Sequence, residues 1–111
     1  MPTQPITAVI FTYNEEKNIR FCLESLQGLT AEILVIDSGS TDETIAICES
    51  FGCIVVHHEY QNHISQWLWT LDSAPISYDW IMPLDADHRV SPELFTSIRG
   101  LNLDNTDEIY A

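Results

Sequence analysis

Thr7-Ala8-Val9-Ile10-Phe11-Thr12-Tyr13-Asn14-Glu15-Glu16 decides how the chain is read. Its first six residues are continuously apolar or β-branched and of strand length, with no polar alternation. That pattern belongs to a strand covered on both faces, as in a parallel sheet. The polar residues that follow change the periodicity. Asn14 is suited to cap a helix with Glu15 and Glu16 in its first turn, and Ile19, Cys22, Leu23 and Leu26 then recur at helical spacing up to Gly28.

The same alternation repeats downstream. Glu32–Ile36 is a second buried strand. Ser40 or Thr41 is placed to cap a helix with Ile45, Cys48 and Phe51 or Gly52 along one side, and Cys53–Val56 is a third strand. His63–Leu71 has Ile64, Trp67, Leu68 and Leu71 at helical spacing, with Trp69 off that face and exposed. Trp80–Leu84 is a fourth strand, and Ser91-Pro92-Glu93 opens a last helix that turns Leu94, Phe95 and Ile98 inward. The expected fold is therefore α/β: a Rossmann-like three-layer α/β/α arrangement around a mainly parallel sheet with right-handed crossovers. No linker or repeat divides it, so residues 1–111 form a single domain. The acidic tail from Leu101 to Ala111 has no clear ending.

Ligands of such sheets bind beyond the carboxyl ends of the strands. Three polar clusters fall there: Thr12-Tyr13-Asn14, Asp37-Ser38-Gly39-Ser40 and Asp85-Ala86-Asp87. In the last, two acids at spacing two in extended chain point the same way across one small residue. Paired carboxylates suit a hard divalent cation, Mg²⁺ or Mn²⁺, that also takes oxygen ligands from a substrate phosphate. Each cluster alone is also read as an ordinary capped or solvated loop. Three at one sheet edge form a site.

Charge narrows the partners. Asp and Glu number 17 against four Lys and Arg, for a formal net charge of −13. Lys17, Arg20, Arg89 and Arg99 are too few and too scattered to hold a nucleic-acid backbone, which excludes that partner. A diphosphate in this field needs a bound divalent metal to offset its charge. Cys22, Cys48 and Cys53 have no zinc spacing and read as free thiols of a reducing compartment. His57 and His58 read as a surface strand end. No segment reaches the roughly 18 apolar residues of a membrane span, and the amino terminus lacks a signal-peptide pattern. The expected location is the cytoplasm, free or peripheral to the inner face of the membrane.

Three motifs in this order resemble the amino-terminal part of a family 2 glycosyltransferase, the inverting nucleotide-sugar enzymes of the GT-A fold. They are Val9-Ile10-Phe11-Thr12-Tyr13-Asn14-Glu15-Glu16, Val35-Ile36-Asp37-Ser38-Gly39-Ser40-Thr41-Asp42 and Leu84-Asp85-Ala86-Asp87. The wording of Gln66–Leu71 with Asp79-Trp80 is similar to lipopolysaccharide-core glucosyltransferase-like members, which act in cell-envelope polysaccharide biosynthesis. The resemblance implies a UDP-sugar as the donor and Mg²⁺ or Mn²⁺ as cofactor. It implies that Thr12 and Tyr13 line the nucleobase pocket, that Asp37 holds base or ribose, and that Asp85 and Asp87 meet ribose and the metal-bound diphosphate. The full nucleotide-sugar-binding set on this reading is Thr12, Tyr13, Asn14, Glu16, Asp37, Ser38, Gly39, Asp85, Ala86 and Asp87, with Asp85 and Asp87 as the metal ligands. Asn14, Glu15 and Glu16 are equally read as a helix cap with dipole-favourable acids.

Several positions depart from the family pattern. Ser38 stands where many relatives have a second acid, Trp67-Leu68 where a cationic residue is common, and His88 where an acid is common. Relatives also continue into an acceptor-binding half that supplies the carboxylate base of an inverting displacement. None of Glu93, Asp104, Asp107 and Glu108 lies in a matching motif, so the resemblance implies a donor-binding part with little or no transferase activity of its own. Two other readings stay open: a binding module that pairs with another copy through an uncovered sheet edge, and an aspartate-nucleophile phosphatase, against which the position of the Asp-x-Asp after the fourth strand counts.

Overall fold

The computed structural model describes residues 3–103. Four strands and four helices alternate: β1 (Gln4–Thr12), α1 (Ile19–Leu26), β2 (Thr30–Asp37), α2 (Thr44–Ser50), β3 (Ile54–His57), α3 (His63–Ser73), β4 (Trp80–Asp85) and α4 (Pro92–Arg99). The sheet is parallel throughout, in the order β3-β2-β1-β4. β1 and β2, the apolar runs of the sequence, take the two inner places, where both faces need cover. The acidic residues from 104 onward lie outside the described residues.

The register makes the carboxyl ends level. Thr12 pairs with Asp37, Asp37 with His57, and Phe11 with Asp85. All three polar clusters therefore reach the same sheet edge, and their loops open toward one another.

Alternate residues of each strand serve different layers. Ala8, Ile10 and Val35 pack with Ile19, Cys22, Leu23 and Leu26 of α1, with Cys48 of α2, and with Phe95 and Ile98 of α4. Val9, Leu34 and Ile36 face the other way, toward Trp67 and Trp69 of α3 and Ala74 and Ile76 beyond it. Three helices cover one face and α3 with its following segment covers the other, which is the three-layer arrangement expected.

Within that frame α3 departs from its sequence pattern. The expected inward residues Ile64, Leu68 and Leu71 are 72%, 64% and 61% exposed, whereas Gln66 and Thr70 are fully buried. Trp69, expected on the surface, is half-buried and stacks on His58 with ring centroids 4.1 Å apart. At about 100° per residue, Trp67 and Trp69 stand on either side of the line through Gln66 and Thr70. Burying two indoles, each with far more area than an aliphatic side chain, turns that line inward. Leu94 of α4, also expected inward, is exposed. Ser91 caps α4 as its sequence predicts, its Oγ accepting from the Leu94 amide with Pro92 in the first turn.

Candidate functional site

Two loops at the ends of β1 and β2 are stitched together rather than used as helix caps. Asn14 has a left-handed backbone, φ 51°, a conformation that Asn tolerates better than most residues. Its amide donates to Ser40 Oγ and its Oδ1 accepts from the Thr41 amide, both at 2.8 Å. The Glu15 amide donates to Thr44 Oγ1, the Glu16 amide to Asp42 Oδ2, and the Glu43 amide to Glu16 Oε2. α1 consequently begins only at Ile19 and α2 at Thr44, neither with a side-chain cap from its N-cap residue. The polar residues expected to cap these helices instead join the loops across the sheet edge.

Asp37 anchors the centre of this edge. It is 1% exposed. Its Oδ1 accepts from Thr12 Oγ1 (2.7 Å) and Ser40 Oγ (2.6 Å), and its Oδ2 from the amides of Gly39 (3.0 Å) and Ser40 (2.8 Å). Burial pushes the carboxyl up, but the hydrogen bonds from Ser40, Thr12 and Gly39 outweigh it and hold the group below the ordinary carboxylate range. Gly39 sits at φ 107°, a region glycine enters without strain, so its amide can turn back onto the carboxylate.

Beside this anchor lies a cavity of about 570 Å³, lined by Phe11, Thr12, Tyr13, Glu15, Ser38, Glu59 and Tyr60. Thr12, Tyr13 and Ser38 are site residues expected from the sequence. Asn14, Glu16, Asp37 and Gly39 lie in the loop framework next to it. Glu59 and Tyr60 were not expected, since the stretch between β3 and α3 has no periodicity to flag it. That stretch is nonetheless tied down. The His58 amide donates to the Asp37 carbonyl (3.0 Å), His58 Nδ1 meets Gln66 Oε1 at 2.6 Å, and Gln66 Nε2 reaches Ser38 Oγ at 3.4 Å. His58, read from sequence as a surface strand end, thus belongs to a network that ends on Ser38.

A second cavity of about 220 Å³ shares Phe11 with the first and is lined further by His63, Trp67, Pro83, Leu84, Asp85 and His88. Here the acids are exposed. Asp85 ends β4, the His88 amide donates to the Asp85 carbonyl at 2.9 Å, and this turn buries Ala86 and swings Asp87 outward. A tight turn, rather than the extended chain expected, brings the pair together. The turn is braced from α1, where Ser25 Oγ accepts from the Val90 amide at 2.9 Å.

Ligand atoms of Asp85, Asp87 and His88 all lie within 4.8 Å of one another. His88 Nδ1 accepts from the Asp85 amide at 3.3 Å, and its Nε2 lies 3.6 Å from Asp85 Oδ2. Two carboxylates and an imidazole in an open turn are a donor set that fits Mn²⁺ or Mg²⁺ and leaves further positions for phosphate oxygens. No Lys or Arg lines either cavity. Three of the four cations sit instead over aromatic rings: Arg20 on Phe51, Arg89 on Phe21 and Arg99 on Phe95.

Comparison with known proteins matches the glycosyl transferase family 2 model over residues 7–107. The chain belongs to glycosyltransferase family 2. Among its relatives, an uncharacterized glycosyltransferase of Rickettsia conorii is 32% identical over 108 residues, covering 97% of this chain and 38% of that protein. The lipopolysaccharide core biosynthesis glycosyltransferase LpsC of Rhizobium meliloti is 33% identical over 99 residues, covering 85% and 36%. Among solved structures, glucosyl-3-phosphoglycerate synthase from Mycobacterium tuberculosis, in complex with Mn²⁺, UDP and glucosyl-3-phosphoglycerate, matches with a TM-score of 0.60 and 28% identity. That match covers 76% of this chain and 35% of the synthase. This family 2 chain thus spans little more than a third of each of these three proteins. No helix among its described residues is long and apolar enough to cross a membrane.

Proposed function

We propose that this chain is the donor side of a glycosyltransferase, binding a UDP-sugar through a divalent metal held by Asp85 and Asp87. The observation that carries the proposal is the convergence of Asp85, Asp87 and His88 within 4.8 Å at the sheet edge that also holds the Thr12, Tyr13 and Ser38 cavity. An aromatic and hydroxyl-lined cavity suits a nucleobase, and the exposed carboxylates suit the metal of the diphosphate. Asp85 and Asp87 would hold Mn²⁺ or Mg²⁺, which when bound would offset the charge of a nucleoside diphosphate where neither cavity is lined by a Lys or Arg. Support comes also from the Mn²⁺ and UDP bound by the mycobacterial synthase.

On this reading Asp37 contributes by placement, since its four acceptor contacts come from within the chain and Ser38 is the residue turned to the cavity. The reaction to which such a donor side contributes is glycosyl transfer with inversion onto a glycan or lipid-linked acceptor. UDP titrated calorimetrically with Mn²⁺ present should bind, and chelation of the metal should weaken it at least tenfold. Asp85→Ala and Asp87→Ala should do the same while melting as wild type. Absence of UDP binding, or binding indifferent to both substitutions, overturns the proposal.

A further inference from the structure

We infer that Tyr60 is a second aromatic wall of the base site, working with Tyr13 to clamp a planar base over Ser38; this rests on the donor-binding reading above. The strand order is β3-β2-β1 at this edge, so β2, which carries Asp37 and Ser38, lies between the other two. Tyr13 leaves from the end of β1 and Tyr60 from the connection after β3. They therefore flank the β2 end from either side. Both line the same cavity, and both remain about half exposed or more, at 60% and 51%. Two tyrosines kept at a cavity mouth rather than in a core present flat apolar faces to a ligand.

The segment carrying Tyr60 is pinned at both of its ends. On the near side the His58 amide is bonded to the Asp37 carbonyl, while the His58 ring is held between Gln66 and Trp69. On the far side Asn62 caps α3, its Oδ1 accepting from the Ser65 amide at 2.8 Å. Only Glu59, Tyr60 and Gln61 lie between these anchors, too short a span to let the ring wander far from the cavity. Stacking on an aromatic tolerates any base, because every base has a π face. Tyr60 thus supplies affinity for the nucleoside part and leaves discrimination among bases to polar groups on the cavity wall.

The test is a comparison of two ligands on one variant. With Mn²⁺ present, UDP and inorganic pyrophosphate are titrated into the wild-type chain, Tyr60→Ala and Tyr60→Phe. Tyr60→Ala should weaken UDP about tenfold, in line with the loss of one base–aromatic stack. Pyrophosphate, which has no base, should bind as to wild type, and Tyr60→Phe should bind UDP within about twofold of wild type because it keeps the ring. UDP binding unchanged in Tyr60→Ala, or UDP and pyrophosphate weakened alike, overturns the role of Tyr60 and leaves the donor reading standing. A wild-type chain that binds neither ligand overturns the donor reading itself, and the wall with it.

Discussion

Asp37 and Asp85 end neighbouring regions of one sheet edge, yet they are built in opposite ways. Asp37 is buried and receives four hydrogen bonds from neighbouring residues of its sheet edge; Asp85 is 69% exposed in its side chain, with His88 and Asp87 beside it. A carboxylate satisfied from within serves the fold, because removing it strands buried donors. One left in water with a second acid beside it contributes little to the fold and remains available to a cation. Burial and partner count, rather than residue type, separate framework from site.

The comparison breaks most readily at Asp37. Asp37→Ala should cost about 3 kcal/mol in urea unfolding, since charged hydrogen bonds are lost and the Thr12 hydroxyl and two amides are left without their acceptor. Asp85→Ala should stay within about 0.5 kcal/mol. Equal losses at the two positions would erase the distinction.

Acid sharpens the same contrast. Because the folded Asp37 carboxyl is held below its ordinary value of 3.8, its stabilisation is complete above that pH and is lost as the pH falls through the folded value. Urea midpoints of the wild type should fall in that acid range. Asp37→Ala should show a shallower fall there, and an identical acid limb in both proteins would contradict the assignment.

A smaller effect separates the two sides of α3. Gln66→Leu should lose about 1–2 kcal/mol, because the His58 and Ser38 contacts vanish from a buried position. Leu68→Lys, on the exposed side, should change stability by no more than about 0.5 kcal/mol. A large loss from Leu68→Lys would show that this side is covered in solution.

These two faces also mark where the sequence stops being legible. The strand–helix alternation, the parallel sheet and the edge that holds the site all follow from apolar runs and polar strand ends, and α1 buries the four residues its periodicity names. The orientation of α3 does not follow. Apolar spacing favours the Ile64, Leu68 and Leu71 side, and nothing local reveals that Trp69 will stack on a histidine eleven positions earlier. Asn14 and Ser40 fail for a related reason. Each is a good local cap, but Asn14 bonds Ser40 and Thr41, 26 and 27 residues on in the facing loop, and Ser40 turns back to Asp37. Side chains that bond across loops look, in sequence, the same as those that bond to their own helix. Tyr60 and Glu59 carry no such pattern and emerge only when β3 is placed beside β2.

The stitched loops have a consequence for association rates and affinities as well. Surface loops that must order around a ligand lose conformational freedom at the moment of capture, and that loss subtracts from affinity. Here the seam of hydrogen bonds between residues 14–16 and 40–44 has already removed that freedom when the chain folds. Donor capture at this edge should therefore resemble the filling of a rigid mould, with a small entropy of ordering on the protein's side.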